Sequence, residues 1–207
     1  RDGRSFCTRR VTGIQNGEAI FTMSASFHVG GDEGIEHQDR MPPAPDPESL
    51  PDRADSESDD DSSVLKEWQN FDLRVVPRDE MVTNPYLAAQ QRVWFRYRHR
   101  LPDDQTIHVC TLAYMSDMTL LGSSKVPHPG IEPQAASLDH AMWFMRPFRA
   151  DEWLLYDQSS PSAGGGRALT QGRIFDRDGR LVAAVTQEGL SRTGRQMPAD
   201  QHARHDR

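Results

Sequence analysis

Asp176-Arg177-Asp178-Gly179-Arg180-Leu181-Val182-Ala183-Ala184-Val185-Thr186-Gln187-Glu188-Gly189 reads as a tight turn feeding a long strand. Asp-Gly is a strong two-residue hairpin signal, because both turn positions favour residues that tolerate positive φ. Arg167 to Phe175, on the other side of the turn, supplies the partner strand. Along the second strand Leu181, Ala183, Val185 and Gln187 share one face by the two-residue period. Gln187 therefore puts an amide where a fourth apolar side chain belongs.

The same design occurs near the start of the chain. Arg4 to Val11 and Ala19 to Phe27 are strand-like and joined around Asn16-Gly17, so Ser5 to Val29 reads as a second hairpin. Laying Asn16-Gly17 over Asp178-Gly179 sets Phe21 on Ala183, Met23 on Val185 and Ala25 on Gln187. This echo suggests two related units, with residues 1–29 ending a first repeat and 64–192 forming a second.

Between them, residues 30–63 read as a mobile linker. Met41-Pro42-Pro43-Ala44-Pro45-Asp46-Pro47 and the acidic run from Asp55 to Ser63 carry too little apolar surface to offset ordering entropy. Beyond it the pattern predicts strands at Trp68 to Pro77, Gln91 to Arg98, Ala136 to Phe148 and Glu152 to Asp157. Asp103-Asp104 caps a helix running from Thr106 to Leu121, up to Gly122. One helix among antiparallel strands makes an α+β domain. Residues 193–207 are a polar tail.

On the helix, Cys110, Ala113, Tyr114, Asp117, Leu120 and Leu121 share a face by i, i+3, i+4 spacing, with Asp117 a carboxylate in its middle. A buried Asp or Gln needs hydrogen-bond partners. Each alone reads most simply as satisfying nearby backbone; together, on packed elements, Asp117 and Gln187 point to a site. Ser137-Leu138-Asp139-His140 is a third polar cluster. In a regular strand Ser137 and Asp139 face one way and Leu138 and His140 the other, which does not make a Ser-His-Asp triad, and no Gly-x-Ser-x-Gly elbow surrounds Ser137.

The 207 residues carry a net charge of −7, which gives nucleic-acid binding no electrostatic support. No apolar run reaches the ~20 residues of a membrane span. Cys7 and Cys110 lack redox or zinc-knuckle spacing, and the scattered histidines form no metal motif, so neither cofactor nor metal is expected. The run Ala163-Gly164-Gly165-Gly166-Arg167 lacks the Lys-Ser/Thr of a phosphate loop and reads as a flexible turn.

Ser137-Leu138-Asp139-His140-Ala141-Met142-Trp143-Phe144-Met145-Arg146-Pro147-Phe148, Glu152-Trp153-Leu154-Leu155-Tyr156 and Val185-Thr186-Gln187-Glu188-Gly189 closely resemble the acyl-CoA thioesterase II family. Arg1-Asp2-Gly3-Arg4-Ser5-Phe6, Ile14-Gln15-Asn16-Gly17 and His37-Gln38-Asp39-Arg40-Met41-Pro42 are similar to its earlier part. The resemblance implies a double hot-dog, in which each repeat wraps an antiparallel sheet around a long helix, with this chain starting past the first repeat's helix. It implies hydrolysis of fatty acyl-CoA by a catalytic trio of Asp117, Ser137 and Gln187 acting on water, with no acyl-enzyme. Asp139, His140 and Trp143 are candidate substrate-binding residues beside it. It also implies an acyl-CoA substrate and a homo-oligomer; the C-terminal His205-Asp206-Arg207 is no peroxisomal signal, so cytoplasm is expected. Rival readings are a non-catalytic acyl-CoA-binding or assembly module and a hot-dog dehydratase. The latter would want a helix His on the buried face, where the chain offers Asp117.

Overall fold

The computed structural model describes residues 2–31, 33–52 and 68–194, so the acidic run at 55–63 and the tail from 195 lie outside the described residues. The chain divides into two compact units, residues 1–37 and 38–207.

The first unit is the expected hairpin. Strand β1 (Phe6–Gln15) pairs antiparallel with β2 (Glu18–His28). Asn16 (φ 52°) and Gly17 (φ 83°) both take the left-handed conformation, which makes a primed turn whose twist matches the strands.

In the second unit the strands are β3 (Phe71–Val75), β4 (Gln90–Tyr97), β5 (Gln134–Ser137), β6 (Ala141–Phe144), β7 (Leu154–Gly164), β8 (Arg167–Asp176) and β9 (Leu181–Arg192). They form one antiparallel sheet in the order β3-β4-β7-β8-β9-β5, with β6 also on β9. The α-helix α1 (Gln105–Asp117) packs on one face. Alternation sorts each strand between two cores. Val93, Phe95, Leu154, Tyr156, Ile174, Ala183 and Val185 meet Leu112 and Met115 of α1, while Trp94, Leu155 and Phe175 face the other side.

That second face is covered by residues 38–52, which composition assigns to a mobile linker. Leu50 is buried and Met41 and Ala44 pack against Trp94, Trp153 and Phe175. The indole N–H of Trp94 donates to the Pro45 carbonyl (2.9 Å), and that of Trp153 to Glu48 (3.0 Å). Asp39, Asp46 and Glu48 pair with Arg173 and Arg177, and Asp52 with Arg74. Few apolar residues suffice here because the sheet supplies the aromatic surface and the arginines, information absent from the segment's own composition.

The Ala163–Arg167 run holds the expected turn, at Gly165-Gly166, joining β7 to β8. Two further expectations are corrected. The strand expected at Glu152 to Asp157 runs on to Gly164 through Ser159–Ser162, where a register shift accommodates Pro161. The helix ends at Asp117, four residues early. Ser123 and Ser124 turn their hydroxyls back onto the Leu120 and Leu121 carbonyls, which favours the 3-10 turn at Leu121–Lys125.

The buried face of α1 is also a different one: His108, Leu112, Met115 and Ser116. Cys110, Ala113, Tyr114 and Asp117 are exposed. Cys, Ala and Tyr imitate a core stripe, while the true stripe contains His108 and Ser116. Each finds a partner there: His108 Nδ1 accepts from the Ala150 N–H (3.1 Å), although its Nε2 is buried without a protein partner, and Ser116 Oγ donates to the Ala113 carbonyl (2.8 Å).

Candidate active site

The sheet edge beside β9 brings the polar residues together. The predicted strand from Ala136 to Phe148 is two pieces, β5 and β6, both paired with β9. Ser137 lies opposite Gly189 and Ala141 opposite Thr186, so four steps on the edge match three on β9. The extra residue makes a bulge at Leu138–His140, and a bulge re-aims side chains. It is pinned by the Leu138 and Asp139 N–H groups donating to the Glu188 carbonyl (2.9 and 3.3 Å). Asp139 Oδ1 in turn accepts from the Glu188 N–H (2.7 Å). Ser137 and His140, on opposite faces of a regular strand, consequently both reach the end of α1.

There, three side chains converge. Gln187 is fully buried, and its Nε2 donates to Asp117 Oδ1 (2.5 Å) and to Ser137 Oγ (2.7 Å). Ser137 Oγ donates to the same Asp117 Oδ1 (3.2 Å). The amide orientation follows from this network, since the reverse would set Oε1 against a carboxylate. Gln187 Oε1 is left buried without a protein partner. Asp117 is the last residue of α1, where the negative end of the helix dipole disfavours a carboxylate. Donors from two strands compensate. Its side chain is 55% exposed rather than buried, so the carboxylate is open to solvent.

His140 Nε2 lies 2.8 Å from Ser116 Oγ, and Nδ1 is 4.0 Å from Asp117 Oδ1. Asp139 is spent on β9, and Trp143 is 53% exposed on the side of β6 opposite Met142. Of the six residues singled out in sequence, four (Asp117, Ser137, His140 and Gln187) form one cluster. Asp139 and Trp143 flank it.

Two supports escaped sequence reasoning. Ser116 anchors His140 from the helix, and its only signal was a polar residue on the true buried face. Tyr156, wholly buried on β7, donates its hydroxyl to the Ser116 carbonyl (3.1 Å), bracing the last turn. Burial, with the Asp117 charge adding to it, pushes the Tyr156 phenol well above its ordinary value, so it remains a donor. Gly172 makes room: a Cβ there would fall 2.2 Å from the Tyr156 ring.

Among the described residues no group of three His, Cys, Asp or Glu is placed to hold a metal ion. No helix among them is long and apolar enough to cross a membrane.

The family model described as acyl-CoA thioesterase matches residues 64–190. The chain belongs to this family. It is 39% identical to acyl-coenzyme A thioesterase 8 of Mus musculus over 209 residues, spanning 93% of this chain and 65% of the mouse protein. With acyl-CoA thioesterase 2 of Haemophilus influenzae it shares 34% identity, covering 93% of this chain and 71% of that one. The chain thus spans about two thirds of the length of these relatives. The crystal structure of an acyl-CoA thioesterase II, TesB2, from Mycobacterium marinum superposes with TM-score 0.84 at 58% identity, over 94% of this chain and 71% of that one. A hot-dog protein from Alicyclobacillus acidocaldarius superposes with TM-score 0.73 at 20% identity, over 94% of this chain and 70% of that chain, a likeness of fold alone. The sheet wrapped on α1 is a hot-dog.

Proposed function

We propose that the chain hydrolyses fatty acyl-CoA thioesters to free fatty acid and CoA, using water activated by Asp117, Ser137 and Gln187 with no covalent intermediate. The observation that carries this reading is the convergence of Gln187 Nε2 and Ser137 Oγ on one oxygen of a solvent-open carboxylate. Both donors hold the Asp117 carboxylate in one orientation, which is what a general base needs before substrate arrives. Asp117 takes a proton from water as the water oxygen bonds the thioester carbonyl carbon. Collapse of the tetrahedral intermediate breaks the C–S bond, and the leaving thiolate recovers that proton from Asp117.

A serine nucleophile has less support. The Ser137 hydroxyl points its proton at Asp117, and the oxygen already accepts from Gln187. Ser116 and His140 have the spacing of a nucleophile and base, but Ser116 is fully buried and its hydroxyl is turned to a helix carbonyl. The names of the relatives supply the substrate class, and we extend to this chain the homo-oligomeric, cytoplasmic setting expected from sequence. We also assign residues 1–29, which carry the β1–β2 hairpin, to the end of a first hot-dog repeat.

The test is steady-state hydrolysis of an acyl-CoA series by the wild type and Asp117→Asn. The variant should lose about 10²- to 10⁴-fold in kcat with KM little changed. Unchanged turnover, or an acyl group trapped on Ser137, would overturn the mechanism. Binding of acyl-CoA by a wild type that never hydrolyses it would favour a non-catalytic module.

A further inference from the structure

We propose that His140 is a further catalytic residue, whose Nδ1 accepts a hydrogen bond from the nucleophilic water held by Asp117 and so orients it; the proposal rests on the hydrolytic reading above. The argument starts at Ser116. Three groups surround its Oγ: the Ala113 carbonyl at 2.8 Å, Met142 Sδ at 3.2 Å and His140 Nε2 at 2.8 Å. The first two can only accept, so the single hydroxyl proton goes to one of them. Oγ then offers His140 a lone pair, and Nε2 must carry the imidazole proton. In that tautomer Nδ1 is bare and faces the Asp117 carboxylate at 4.0 Å.

Two acceptors at that separation cannot bond one another, because hydrogen bonds to nitrogen or oxygen end near ~3.2 Å. A water between them, giving one proton to each, resolves the juxtaposition. Such a water has both protons on bases and its lone pairs turned away from them, the orientation required to attack a carbonyl carbon. The bulge at Leu138–His140 is what makes this possible, since it brings His140 to the same side as Ser137. The side chain is 24% exposed, so the ring edge remains reachable from solvent. Asp139 does not compete for the ring, being bonded to the Glu188 N–H. Proton balance is unchanged: one water proton passes to Asp117 as the O–C bond forms and returns to the leaving thiolate, while the other stays on the attacking oxygen, hydrogen-bonded to His140 Nδ1, until the carboxylic acid product ionises to solvent.

The decisive experiment compares two conservative variants. His140→Asn can present its amide oxygen where Nδ1 stands but cannot reach Ser116. His140→Gln reaches Ser116 with an N–H but leaves nothing at the Nδ1 position. If His140 only braces the bulge, Gln preserves kcat better than Asn. If it accepts the water's hydrogen bond, the order reverses: Asn stays within about 10-fold of wild type and Gln loses about 10²-fold, with KM little moved in either. Gln equal to or better than Asn overturns the proposal. Nitrogen NMR of the imidazole in the wild-type chain, read without turnover, provides the second measurement. A neutral ring protonated on Nε2 is expected, and one protonated on Nδ1 overturns the proposal even if a variant fails to fold. A wild type without hydrolytic activity removes both this proposal and the reading beneath it. An active wild type, an inactive Asp117→Asn and an active His140→Gln remove only the role of His140.

Discussion

Replacing Gln187 by Met separates what the amide does for the site from what it does for the fold. The two side chains are nearly isosteric, so no cavity is made. Met loses a hydrogen bond to a carboxylate, worth about 1.5–3 kcal/mol, and one to a hydroxyl, worth about 1 kcal/mol. The first is heavily discounted, because Asp117 is 55% exposed and water can take the donor's place. Against these losses, Gln187 Oε1 is buried without a partner, a penalty of about 1–3 kcal/mol that Met removes. The terms offset to within about 1–2 kcal/mol. For a chain of this size that is a shift in Tm of no more than about 8 °C. Activity should behave differently: losing an oriented donor from a charge-bearing site costs about 10²- to 10³-fold in kcat. Thermal melting followed by circular dichroism reads the first quantity, and release of free CoA thiol from acyl-CoA the second. A fall in Tm beyond about 10 °C would show the amide to be structural, and retention of kcat within about threefold would remove it from the site.

Gly172→Ala puts a methyl 2.2 Å from the buried Tyr156 ring, so overpacking should cost about 1–3 kcal/mol, while Tyr156→Phe should cost about 1 kcal/mol for the lost bond to Ser116. Chemical denaturation checks both, and a silent Gly172→Ala would contradict the close approach. Acid stability follows from Asp72 and Asp151. Burial pushes each carboxyl up, but Arg96 and Arg98 on Asp72, and Arg149 with the Leu101 N–H on Asp151, outweigh it and hold both below the ordinary range. A depressed folded value means that this stabilisation is complete above the unfolded value of about 3.9 and is lost as pH falls through the folded one. The acid limb of Tm should therefore begin below about pH 4 and be shallower in Asp72→Asn; an unchanged limb in that variant would refute the assignment.

The hairpins, the helix and Gln187 were legible because each rests on a local signal, whereas the role of Ser137 came only from the family resemblance. Asn16-Gly17 and Asp178-Gly179 name their turns, and Gln187 interrupts a clean two-residue period. Asp117 was found on a mistaken premise, since the face that made it conspicuous is the exposed one. The inference survived because a carboxylate at the helix terminus is conspicuous for another reason, the donors that reach it from β5 and β9. Residues 38–52 were misread because their order comes from the partner surface: Trp94, Trp153 and the arginines lie far away in sequence. His140 shows the same limit at finer scale. Alternation sends it away from Ser137, and only the one-residue mismatch between 137–141 and 186–189 turns it back. Nothing in Ser137-Leu138-Asp139-His140 announces that mismatch, which is set by how two strands pair with β9. A polar cluster in an edge strand is therefore better read with its register left open, because one extra residue decides which of its side chains meet the helix.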